Sequence, residues 1–304
     1  MKHWKLIFAG LAFFAAAILY IKSLVAPTPP PVETTQPVIA VSFYPLEYLL
    51  TNLVEGDYEV YSVISSGIEP HDFEPSPQDI VRLQEADVFF YNGLDFEPWV
   101  ERIKPTLEEH GVTLVNAGEL LGLGAQTDAS VDPHVWLDPK AFGDLADEIK
   151  DELVRLYPQD ANTFQENSRG LQADIAALYA RYKQRLANCE LNEIIVSHDA
   201  FGYLAKQFGF TVIPIAGFSP QEQPSAKRLG ELATLAKQKG ITTIFFETLV
   251  SPKLSETLAA EIGAKTAVLD PIEGLSPADR AQGLDYVLVM ESNLEALATA
   301  MQCR

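Results

Sequence analysis

The chain has 304 residues, 47% of them hydrophobic and 21% charged, which is enough apolar mass for one large core or two smaller ones. Its 42 acidic residues against 22 basic ones give a net charge of −20. That balance argues against a nucleic-acid partner, since a phosphate backbone rewards Lys and Arg, and it suits a cationic ligand.

The first residues, "MKHWK", are basic, and an unbroken apolar run follows from Leu6 to Ile21. This is the layout of a secretory signal, and with its flanks the run nearly reaches the length of a membrane span. Residues 1–26 are therefore expected to be a signal peptide or an N-terminal membrane anchor. Either places the rest of the chain in the periplasm or otherwise outside the cytoplasm. No cysteine follows the run to carry a lipid. Residues 27–37 are rich in Pro and Thr and read as an extended linker.

From Val38 the pattern alternates. "VIAVSF" (38–43) predicts a strand, "PLEYLLTNLVEG" a helix, "YEVYSVIS" (58–65) a second strand, and "SPQDIVRLQEA" (76–86) a helix opened by Ser and Pro. "DVFFYNG" (87–93) and "VTLVNAG" (112–118) are further strands. The order implies a parallel sheet with helices on both faces. Between Pro158 and Leu186 there is no strand signal. Phe164, Leu171, Ile175, Leu178, Tyr182 and Leu186 recur at helical spacing, so one long amphipathic helix is expected, with Gly170 its weak point. Strands then resume at 193–197, 211–217, 242–247 and 266–270. Helices are expected at 225–240 and 251–264, and a last one at 285–302. The organisation is an N-terminal α/β lobe (38–156), a linking helix (157–189) and a C-terminal α/β lobe (190–304).

There are five histidines. His3 belongs to the export segment, and His110, at a helix C-terminus in "LEEHGV", reads as a surface residue. The other three, His71, His134 and His198, all lie in loops, and His71 and His198 follow predicted strands. Ligands of doubly wound α/β proteins bind past the carboxyl ends of the strands. A lone loop histidine is usually a surface hydrogen-bonder. Three of them in such positions point to a metal. Pro70 and Pro133 stiffen two of the loops. "TAVLDPIEG" offers Asp270 as a fourth donor, again at a strand end. Three imidazoles and one carboxylate make a tetrahedral shell suited to Zn2+, whereas Mn2+ prefers more oxygen. Glu69, Asp199 and Glu247 are candidates for orienting the ligand imidazoles. Asp132 and Asp138 read as loop and helix caps. Cys189 and Cys303 are too few for a cysteine metal site. Outside the cytoplasm a disulfide between them is favoured over two unpaired thiols.

With these residues in view, the chain resembles the metal-binding solute receptors of bacterial ABC transporters for zinc and manganese. The resemblance is carried by "GIEPHDFEPSPQD", "DPHVWLDP", "SHDAFGYLAKQFG", "FFETLVSPKLSETLAAEIGA" and "LDPIEG", in that order, and covers essentially all of the chain from Val38. It implies two α/β lobes bridged by a rigid long helix, with a metal between them held by His71, His134, His198 and Asp270. Histidine at position 198, where manganese receptors typically carry Glu, points to Zn2+, with Mn2+ as the alternative. It also implies a monomer that delivers metal to an ABC permease in the membrane. Two departures stand out. No histidine-rich stretch precedes His134, and Gln223-Pro224-Ser225 stands where the family often has Glu-Pro-Ser. The competing readings are a zinc-dependent hydrolase and an adhesin on the same scaffold. The chain has neither a His-Glu-x-x-His nor a Gly-x-Ser-x-Gly segment to support the hydrolase.

Overall fold

Two parallel four-stranded sheets, separated in sequence by one long helix, form the frame of the computed structural model, which describes residues 36–123 and 131–304. The segment read as signal or anchor, and residues 27–35 of the linker, lie outside the described residues. Among the described residues no helix is long and apolar enough to cross a membrane.

The first sheet contains β1 (Val38–Val41), β2 (Glu59–Ser62), β3 (Val88–Tyr91) and β4 (Thr113–Asn116), in the order β2-β1-β3-β4. The second repeats the plan with β5 (Glu193–Val196), β6 (Thr211–Pro214), β7 (Thr243–Phe246) and β8 (Lys265–Val268), in the order β6-β5-β7-β8. Central strands read as apolar runs because both of their faces are covered; β3, Val-Phe-Phe-Tyr, is buried throughout. Edge strand β8 is mostly exposed.

Alternate side chains divide the core. Ala40, Phe89 and Tyr91 face outward under α2 (Pro77–Leu83) and α3 (Pro98–Glu109). Ile39, Val41, Val88 and Phe90 face inward. Those inner residues share one apolar core with Ile194, Val196 and Phe245 of the second sheet. The linking helix α6 (Ala161–Arg185) joins them, burying Phe164, Leu171, Ile175, Leu178 and Tyr182 as the spacing predicts. Its 25 residues give a length of roughly 38 Å. The C-terminal helix α11 (Tyr286–Ala300) packs on it, and the Tyr182 hydroxyl donates to Met290 O at 2.7 Å. Pro37–Arg304 is accordingly one compact unit, with both sheets sharing a core.

Helix α5 (Pro139–Leu156) lies outside the predicted elements, although Asp138 reads as its cap and does accept from Lys140 N. Its inward face, Phe142, Leu145, Ile149 and Leu153, packs along α6. Among the described residues the remaining α-helices are α1 (Tyr44–Val54), α4 (Ala117–Leu120), α7 (Gly202–Phe208), α8 (Ala226–Lys239), α9 (Lys253–Ile262) and α10 (Pro277–Ala281). Ser225, in the departing Gln-Pro-Ser segment, caps α8 by accepting from Arg228 N.

Cys189 and Cys303 form a disulfide that ties the end of the linking helix to the C-terminus across 114 residues. A loop of this order raises the free energy of the unfolded chain by about 4.7 kcal/mol in the chain-entropy account. Cys189→Ser/Cys303→Ser should unfold at markedly lower urea than the parent, a comparison of two melts that also reads any strain. Gly170 is exposed in the middle of α6, and a Cβ there would meet nothing within 4 Å. Gly170→Ala is therefore expected to stabilise the protein by about 0.5–1 kcal/mol in the same assay.

Candidate metal centre

The three loop histidines come together. His71 Nε2 lies 3.3 Å from His134 Nε2, and His198 Nε2 lies 3.4 Å from it. Glu273, and not Asp270, supplies the carboxylate at this centre. Its Oε1 lies 3.4, 3.3 and 3.3 Å from the Nε2 atoms of His71, His134 and His198. All four donor atoms fall within 4.8 Å of one another. Both Glu273 oxygens are buried with no aligned hydrogen-bond donor. A buried carboxylate in that position calls for a cation.

Local sequence explains how each donor is aimed. His198 follows β5 by two residues, and Glu247 follows β7 directly; these strands are neighbours where the strand order reverses. Glu247 Oε1 sits 2.6 Å from His198 Nδ1 and also accepts from the Ser197 hydroxyl. The carboxylate fixes the proton on Nδ1 and turns the Nε2 lone pair to the centre. Asp132, expected as a cap, does the same for His134: its Oδ1 accepts from His134 N at 2.9 Å and faces Nδ1 at 2.7 Å. Gly202 permits that approach, since a Cβ there would lie 2.6 Å from Asp132 Oδ2. Glu69 accepts from the backbone N–H of His71 at 3.0 Å. The N–H of Asp199 donates to Gly217 O, and its carboxylate interacts electrostatically with His134 and His198. His110 is a surface residue, with its ring against Thr106 O.

Asp270 has other work. Its Oδ2 accepts from Thr248 and its Oδ1 from the N–H of Ile272, each at 2.8 Å. Asn293 brackets its backbone, accepting from Asp270 N and donating to Asp270 O. This makes an Asx turn through Pro271, with Ile272 at φ 56°, and the turn swings Glu273 onto the histidines. Pro271 O also accepts from Trp136 Nε1 at 2.7 Å, joining the Glu273 loop to the His134 loop. The sequence reading missed Glu273 because an Asp-Pro at a strand end is equally the signature of a turn. The same inference had assigned Asp132 and Asp138 to caps. A second carboxylate three residues on was the available signal.

Burial disfavours charge on all these groups, and at His134, His198 and Glu273 the partners override it. Burial alone would lower His198; Glu247 and Glu273 raise it well above the usual imidazole range. His134 is likewise raised against burial, by Asp132 and Glu273. Burial would raise the Glu273 carboxyl, but the three facing imidazoles hold it well below its ordinary value. Asp270 is pushed up to about 6 by burial, restrained by its bonds from Ile272 and Thr248. Phe96, edge-on to His71 at 4.8 Å between centroids, and Trp136, 5.2 Å from His134, wall the centre with apolar surface.

Twin parallel sheets braced by a long helix, with four convergent donors on their carboxyl-end loops, define a solute receptor for a transition-metal ion. Residues 39–300 match the family described as the periplasmic zinc-uptake complex component A, ZnuA. The chain is 36% identical over 277 residues to the high-affinity zinc uptake system protein ZnuA of Bacillus subtilis, covering 86% of this chain and 87% of that protein. It is 35% identical over 282 residues to the zinc-binding protein AdcA of Streptococcus pyogenes, covering 85% of this chain but only 55% of that longer protein. The zinc-bound ZnuA-like domain of Streptococcus pneumoniae AdcA superposes with a TM-score of 0.77 at 34% identity, over 88% of this chain and 99% of that domain. The chain belongs to the ZnuA family.

The raised histidines fix the sign of the pH response. A ring must be neutral to bind metal, so ions compete with protons and affinity falls as pH drops below the raised values of His134 and His198. Calorimetry in buffers of different ionisation heat should show protons released on metal binding near neutral pH. The metal-free protein should respond oppositely. Stability from a raised histidine is complete below the unfolded value of about 6.5 and is lost as pH rises through the folded value. Its melting temperature should therefore decline on the alkaline side, while that of the zinc-loaded protein should not.

Proposed function

We propose that this protein captures Zn2+ outside the cytoplasm and hands it to an ABC-type permease. The observation that carries the reading is a length. A tetrahedral ion held at about 2.0–2.1 Å has ligand–ligand edges of roughly 3.3–3.4 Å. Five of the six donor pairs among His71, His134, His198 and Glu273 lie at 3.3–3.4 Å. Three nitrogens and one oxygen suit Zn2+ better than Mn2+, which favours oxygen donors. Four protein donors complete a tetrahedron and leave no position for an activated water, which supports a receptor over a hydrolase. Family membership and the names of the relatives, a zinc uptake system protein and a zinc-binding protein, support the same cargo. All four donors come from one chain, which supports a receptor that needs no second subunit to hold its ion. Export through residues 1–26 follows from their basic and apolar layout.

Competitive titration against a chromogenic zinc chelator tests the assignment. His71→Ala and His198→Ala should each lower zinc affinity by orders of magnitude. Glu273→Gln should cost about 100-fold or more. Asp270→Asn keeps an acceptor for Ile272 N and should cost about tenfold, the low end for a group that orients a ligand. The reverse order for the two acidic positions would return Asp270 to the centre and refute this ligand set.

A further inference from the structure

The two arms that carry His71 and Glu273 are tied together at a second place. Arg280 sits in the last turn of α10, seven residues beyond Glu273, and Ser276 with Asp279 forms a capping box that fixes this short helix. Its guanidinium makes a two-pronged bond to Glu47 of α1, with Nη1 3.0 Å from Oε1 and Nη2 2.6 Å from Oε2. The charge also lies over the Tyr44 ring, 5.2 Å from its centroid. Arg280 Nε reaches the Ser66 hydroxyl at 3.2 Å, and that hydroxyl donates to Leu275 O. Ser66 lies five residues before His71, and Leu275 two after Glu273. One side chain thus joins the Glu273 arm, the His71 arm and a helix packed into the first sheet's core.

Ligand exposure gives this tie its meaning. The side chains of His134 and His198 are 0% exposed and that of Glu273 is 1%, whereas that of His71 is 8%. His71 is therefore the donor nearest solvent, and Glu273 is one of its neighbours in the centre, 3.4 Å away. We infer that the Arg280–Glu47 pair is a latch that sets how slowly metal leaves, holding the His71 and Glu273 arms together over the centre. It is a positioning pair and touches no metal. Arg280 is 37% exposed and Glu47 21%, so water screens the bond and it can open and reform. The inference rests on the zinc reading above.

The test is stopped-flow release of zinc from the full chain into excess chelator. Glu47→Gln and Arg280→Gln should each speed release by roughly fivefold, and the double variant by no more than either single change. Glu291→Gln breaks a comparable exposed pair, with Arg181, between α6 and α11, and should leave the rate unchanged. Parent release should quicken at high ionic strength, and release from Glu47→Gln should not. Unaltered rates in both single variants would overturn the latch, as would additive effects or an equal effect in Glu291→Gln. If either variant fails to fold, a salt-insensitive parent rate overturns it alone. A parent protein that binds no zinc would instead sink the functional reading.

Discussion

The molecule is organised around one unneutralised carboxylate. Glu273 is buried, neither oxygen has an aligned donor, and three imidazole nitrogens face it at 3.3–3.4 Å. Without a cation such a cluster favours protons on its imidazoles, which is the direction in which Glu273 pushes His134 and His198 and in which they push Glu273. A divalent ion replaces those protons and satisfies both the carboxylate and the ring lone pairs. The surrounding structure makes sense as the means of keeping these groups at a spacing they would otherwise avoid.

That spacing is enforced from several directions. Glu247 and Asp132 lock two rings by their outer nitrogens, and Asn293 and Thr248 hold the turn that presents Glu273. Trp136 links the His134 loop to Pro271, and Asn92 donates to Pro133 O at 3.1 Å from the end of β3. Asn92 is itself fixed by Glu97, which accepts from the N–H groups of residues 92 and 93. Donors from both sheets therefore sit in one hydrogen-bonded frame. Both sheets also share one apolar core with α6.

Most of the architecture was legible because parallel strands buried on both faces announce themselves as short apolar runs, and α6 shows its buried face at helical spacing. The histidines were legible because few exist and their loops fall where the fold places ligands. The fourth donor was not. Asp270 and Glu273 share one loop, and only the Asx turn, with Ile272 in the left-handed region, decides which carboxylate points inward. That choice is made in three dimensions by Thr248 and Asn293, residues distant in sequence. Helix α5 was passed over for a different reason. It directly precedes the long helix, and the stronger periodicity of its neighbour masked the stripe from Phe142 to Leu153.

The centre has a firm side and a softer side, and transport needs both. His134 and His198 are fully buried, and each ring is oriented by a carboxylate on Nδ1. Among the described residues His71 has no such carboxylate; Glu69 holds only its backbone, through a bond that fixes the loop rather than the ring. A receptor whose four donors were equally rigid would bind tightly and release poorly. One less restrained ligand, the most exposed of the four, gives such a shell a place to open. On the reading proposed above, affinity draws on all four donors, and the lifetime of the complex depends further on the segments that hold His71 in place.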